Sequence, residues 1–129
     1  MKIPATEIDG VGAVLERKAA ELAWVLRQRD GIEIQKSADQ MDEIQYASER
    51  DLAIRNVDRD SSLLREVKAA LQRIREGSFG SCVDCESAIG PKRLAAVPWA
   101  ARCIRCQEVA DRDRQNRAES LTDSLSHAA

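Results

Sequence analysis

The sequence predicts a mostly α-helical chain: a long antiparallel helical hairpin, paired as a coiled coil, attached to a small four-cysteine domain with a C-terminal helix. Three observations predict it. Of 129 residues, 33% are charged and only 3% aromatic (Trp24, Tyr46, Phe79 and Trp99), too few rings to fill a β-sandwich or a thick globular core. Two long segments carry apolar residues at helical spacing. Four cysteines fall in two close pairs on the C-terminal side of both.

Residues 1–10, punctuated by Pro4 and Gly10, read as an irregular lead-in. From 11 to 29 the pattern is helical: Val11, Leu15, Leu22 and Val25 form an apolar stripe, which Val14, Ala19 and Leu26 widen. Asp30-Gly31 is the predicted stop, because glycine accepts the left-handed conformation that ends many helices. Segment 31–43 sets Lys36 against Glu33, Asp39, Asp42 and Glu43, a net charge of −3. A second helix is expected over 44–76, which contains neither glycine nor proline. Val57, Leu64 and Leu71 are spaced by seven, with Val67 and Ile74 three residues behind the last two; Asp60 interrupts this seam. At 1.5 Å per residue the second helix is roughly 50 Å long and the first about 28 Å. Neither can bury its stripe alone, so 1–78 is read as an antiparallel hairpin with an acidic tip near 31–43. The plainer reading of that tip is a solvated charged loop.

Gly77-Ser78-Phe79-Gly80 breaks the second helix just before Cys82-Val-Asp-Cys85, and 17 residues later comes Cys103-Ile-Arg-Cys106. Each C-x-x-C turn can present two thiolates to one tetrahedral ion, and this spacing is a specific zinc signature. Cys82, Cys85, Cys103 and Cys106 are therefore expected to hold one Zn2+ as a saturated, structural site. Ile89, Leu94, Val97 and Trp99 are too few to organise 79–110 without metal. Two unrelated pairs of buried thiols, or a thiol redox switch, are the alternatives. From Cys103 the pattern is helical again, and 111–129 reads as a helix end with a polar tail, frayed from Asn116 and including His127.

The only histidine lies in that tail, so neither a His-ligated catalytic metal nor a Ser-His-Asp arrangement is credible, and no phosphate-binding glycine loop is present. The chain is not expected to be an enzyme. Its formal charge is −2 and that of 79–110 only +1, so direct sequence-specific DNA binding is not expected. No apolar run approaches the ~20 residues that span a bilayer, and residues 1–7 lack the apolar stretch of an export signal. A cytoplasmic protein without a membrane partner is expected. The residues describe a zinc-organised knob carrying a long rod with an acidic end, a shape suited to an adaptor or probe.

Asp39-Gln-Met-Asp42, Arg55-Asn-Val-Asp58-Arg59-Asp60, Phe79-Gly-Ser-Cys82, Ile89-Gly90, Arg93-Leu94-Ala95, Pro98 and Cys103-Ile104-Arg-Cys106-Gln107 together resemble the DksA/TraR (DnaK suppressor) family. The likeness runs without gaps from Asp39 to Gln107, about half the chain; residues 1–38 are similar only in being helical. It implies binding to bacterial RNA polymerase through the secondary channel. The acidic tip would approach the polymerase active site and change the lifetime of promoter complexes, with the finger and C-terminal helix at the channel rim. The family's D-x-x-D-x-A tip motif reads Asp39-x-x-Asp42-x-Ile44, a large branched residue replacing the small one. Arg59 matches a basic rod position at the rim, and Glu86 stands where the family has glycine. The family's basic positions for ppGpp are Glu66, Val97 and Gln107 here, so synergy with that nucleotide is not expected. Beside this reading stand a zinc-ribbon module that binds nucleic acid or protein, with the rod as a dimerisation surface, and a thiol redox sensor.

Overall fold

The computed structural model describes residues 3–31 and 43–126. Pro4 opens the first helix: its carbonyl accepts hydrogen bonds from the Glu7 and Ile8 N–H groups, at 3.0 and 3.1 Å. Helix α1, Ala5–Gly31, thus starts six residues before the expected position, inside what reads as a lead-in. A proline just ahead of the first turn is preorganised for it, and Glu7 complements the helix dipole there. Gly10 is carried within the helix at a cost of about 1 kcal/mol, too little to break it.

Helix α2, Glu43–Glu76, stops where its chemistry demands. Gly77 takes φ 79°, Ser78 N–H donates to the Arg73 carbonyl (2.9 Å) and Gly77 N–H to that of Ile74 (3.2 Å), the paired bonds of a Schellman cap. The two helices pack antiparallel, with Gly12 near the start of α1 beside Ile74 near the end of α2. Leu15 and Leu22 on α1 and Val67 and Ala70 on α2 are buried; Val11, Ala19, Leu63, Leu64, Leu71 and Ile74 close around them. Val14, expected to widen the seam, is instead 48% exposed, because it lies off the face that Leu15 and Leu22 share. Asp60, the seam's polar interruption, is 8% exposed with Arg59 Nε 3.8 Å away, so the hairpin buries a carboxylate among its apolar layers. The acidic tip, Asp39 and Asp42 included, lies outside the described residues.

Beyond α2 come α3, Pro91–Ala96, and α4, Ile104–Ser126. The described residues include no strand, only an isolated antiparallel bridge between Ser81 and Ala88. Helix α4 continues through Asn116 to Ser126, where a polar tail was expected. Its exposed turns are laced by Gln107–Asp111 (2.9 Å), Gln115–Glu119 (3.4 Å) and Thr122 to the Ala118 carbonyl (2.9 Å), on good helix formers. His127 lies outside the described residues. No described helix is long and apolar enough to cross a membrane.

Three contacts seat the cysteine domain on the base of the hairpin. Phe79 and Trp99 pack against the hairpin core. Arg73, in the last turn of α2, donates to the carbonyls of Trp99 (3.2 Å) and Ala100 (3.4 Å); burial lowers its pKa from the ordinary arginine value. Ile3 covers Gly80 so closely that a Cβ there would stand 2.7 Å from Ile3 Cδ1, and φ 87° independently favours glycine.

Candidate metal centre

The first cysteine turn is built by a short reversal of the chain. Ile89 N–H donates to the Gly80 carbonyl, and Cys82 N–H to that of Ser87, both at 2.8 Å. Glu86 N–H closes the turn on the Cys82 carbonyl at 3.0 Å. This closure places Glu86 at φ 63°, the one non-glycine residue with positive φ among those described. It is also the position where family resemblance expects glycine. The second turn runs from Ala100 into the first turn of α4, where Gln107 N–H donates to the Cys103 carbonyl at 2.9 Å. Cys82, Ile89 and Ala100 are the domain's buried apolar residues among those described.

The fold brings all four predicted ligands together. Their Sγ atoms lie within 4.8 Å of one another, with Cys85 and Cys103 Sγ 3.8 Å apart. In a tetrahedron with Zn–S bonds of about 2.3 Å, adjacent sulfurs are about 3.8 Å apart, so the donor set fits zinc in both chemistry and size. Cys82 is buried, Cys103 and Cys106 are half-buried and Cys85 is exposed; none is in a disulfide.

The sulfurs titrate very differently. Backbone N–H groups of Cys85 and then Cys103, aimed at Cys82, lower its thiol to about 6. The Ser87 hydroxyl and backbone lower Cys85. Cys106, which shares its proton first with Cys103 and then with Cys82, is pushed up to about 12. Backbone and hydroxyl donors favour the thiolates of Cys82 and Cys85, while crowding against the other sulfurs holds the proton on Cys106.

Beside the metal centre, a cleft of about 340 Å³ opens between α2, α3 and α4. Glu66, Val97 and Gln107, widely separated in sequence, all line it. So do Arg73, Arg93, Arg102 and Arg114, a convergence the sequence reading did not find because they come from four separate segments. Three of these guanidiniums are hydrogen-bonded, Arg93 Nε to the Arg102 carbonyl (2.9 Å), Arg102 Nε to Asp84 (2.6 Å) and Arg73 as above, while Arg114 lies exposed 3.8 Å from Asp111. Arg59 is exposed on the rod, and Ile44, 74% exposed, is the second residue of α2; neither lies at the metal centre.

Two outcomes are expected at this centre. The metal-bound site holds thiolates and the metal-free site takes up protons, so zinc affinity falls as pH falls. Below about pH 6, Cys82 joins the protonated set, and the slope of log affinity against pH steepens by about one. Chelator-competition titrations between pH 5 and 8 measure this; a slope unchanged through pH 6 contradicts it. Second, Glu86→Gly relieves a left-handed conformation that costs an L-residue about 1–2 kcal/mol, partly offset by the freedom glycine adds to the unfolded chain. The zinc-loaded variant should gain about 1 kcal/mol in denaturant unfolding, and no gain would mean that the turn carries no strain.

Residues 77–112 match the prokaryotic dksA/traR C4-type zinc finger family. Among curated proteins, the chain is 37% identical over 78 residues to the RNA polymerase-binding transcription factor DksA of Buchnera aphidicola, covering 60% of this chain and 52% of that one. It is 35% identical over the same length to the protein of that name from Escherichia coli K12, again covering 52% of it. The chain thus spans about half the length of the curated relatives it matches. Its fold is similar to transcription factor DksA2 from Pseudomonas aeruginosa, with TM-score 0.70 and 25% identity over 86% of this chain and 88% of that one. The solution structure of the DnaK suppressor protein from Agrobacterium tumefaciens C58 gives TM-score 0.55 and 30% identity over 79% of this chain and 92% of that one. With its four thiols gathered at zinc spacing and its helical hairpin seated on them, the chain belongs to the DksA/TraR family of C4-type zinc-finger proteins.

Proposed function

We propose that this chain is a non-enzymatic transcription regulator that binds bacterial RNA polymerase, entering the secondary channel with the free end of its hairpin. The observation that carries this reading is the rod: α2 has 34 residues, roughly 50 Å at 1.5 Å per residue, and only its base is covered by the finger. The names of its relatives, RNA polymerase-binding transcription factors, support the same partner. Asp39 and Asp42 are the tip residues that act near the polymerase active site, Ile44 is their apolar neighbour, and Arg59 contacts the channel rim. Carboxylates at the start of α2 also suit the helix dipole, so charge and capping must be separated experimentally.

Asp42→Asn separates them, because asparagine caps about as well as aspartate but carries no charge. The variant should stay folded, bind core polymerase in a pull-down that another secondary-channel factor competes away, and lose the effect on promoter-complex lifetime. A variant that regulates like the parent would show that the tip charge is not the effector. Failure of the parent chain to bind core polymerase would overturn the proposal as a whole.

The cleft supports a second expectation. At the three family positions for ppGpp it presents a carboxylate, Glu66, and the uncharged Val97 and Gln107, while Arg73, Arg93 and Arg102 each donate to a protein acceptor. A polyanion loses its charge-assisted bonds at all three positions and meets repulsion at Glu66. Transcription assays on a polymerase whose own ppGpp site is disabled should show no synergy between nucleotide and protein; strong synergy would refute this.

A further inference from the structure

The two cysteine turns are joined by more than their sulfurs. Val83 and Asp84 lie between Cys82 and Cys85, and Ala101 and Arg102 immediately precede Cys103. Val83 N–H donates to the Ala101 carbonyl at 2.9 Å, and Arg102 Nε donates to Asp84 Oδ2 at 2.6 Å. The two side chains are 36% and 47% exposed, partly withdrawn from water. Arg102 also hangs from a fixed backbone, since its carbonyl accepts the Arg93 Nε bond at 2.9 Å. A short, charge-assisted hydrogen bond between two anchored groups is stronger than an ordinary surface ion pair.

We propose that Asp84 and Arg102 form a clasp that holds the two cysteine turns together while the site is opening, and so slows the loss of zinc. Release from a four-thiolate site requires one turn to swing away from the other before the ion can leave or a competing ligand can enter. Exposed Cys85 shares its turn with Asp84, and half-buried Cys103 follows Arg102, so the clasp bridges the turns that carry the two sulfurs 3.8 Å apart. Buried Cys82 lies behind them. Opening must break the ion pair as well as a metal–sulfur bond. Neither residue is a ligand; both are positioning residues, and they act on the rate of opening.

The test is transfer of zinc from the full, zinc-loaded chain to excess chromophoric chelator, followed by absorbance. Arg102→Met and Asp84→Leu, which removes the acceptor at similar volume, should each release zinc about fivefold faster, as expected for losing one such interaction from the barrier. The double variant should release no faster than the faster single, because each single already opens the clasp. Arg102→Lys, which keeps the charge, should fall between parent and Arg102→Met. Unchanged helical circular dichroism shows that the variants are folded; should Arg102→Met unfold, Asp84→Leu decides. Single-variant rates within about twofold of the parent, or single effects that multiply in the double variant, overturn the proposal.

Discussion

Four sulfurs confined within 4.8 Å repel one another once ionised, and this repulsion governs the C-terminal part of the molecule. Without a cation the cluster keeps a proton on Cys106 while Cys82 ionises readily, so its members disagree about charge. A divalent ion resolves the disagreement and adds its bonds to the Val83–Ala101 hydrogen bond and the Asp84–Arg102 ion pair that already join the two cysteine turns. Around them only Ile89 and Ala100 are buried, far short of a core that orders some thirty residues by apolar burial. Metal binding is therefore expected to be coupled to the folding of this domain.

The consequences reach the rod through its base. Trp99, Phe79 and the Arg73 bonds to residues 99 and 100 make the segment before Cys103 part of the cover over the hairpin core. Ile3 on Gly80 ties the start of α1 to the same domain. The rod is thus clamped at its base by these contacts and, over its described length, held by the pairing of α1 with α2.

Much of this was legible in the sequence because the signals are periodic or stoichiometric. Heptad spacing located the Leu15–Leu22 and Val67 layers, and the break at Asp60 correctly marked a polar residue inside the seam. Cysteine spacing found the metal ligands, and the missing glycine at Glu86 pointed to a turn that proves to be left-handed. The errors lie where local punctuation competes with helix propagation. Pro4 and Gly10 looked like breaks, yet one starts α1 and the other is absorbed by it. The mostly polar stretch after Asn116 buries none of its few apolar side chains, but its propensities and i,i+4 pairs keep it helical to Ser126. The arginine-lined cleft exists only after folding joins segments up to 41 positions apart, Arg73 to Arg114, and no spacing rule reports such a convergence.

Helix α4 has one property that the other long helices lack. Among the described residues only α1 and α2 pack against each other, so the exposed outer half of α4, with Leu121 and Leu125 in solvent, is held by its own backbone ladder. Its helicity there follows a helix–coil equilibrium set by propensity and by the anchored first turn at Cys103 and Cys106, rather than by the global unfolding transition. Amide hydrogens in this half should therefore exchange through local fraying, at rates indifferent to how firmly the hairpin is folded. A surface that captured this helix would have no intramolecular packing to displace, and its binding enthalpy would include the completion of a partly formed helix.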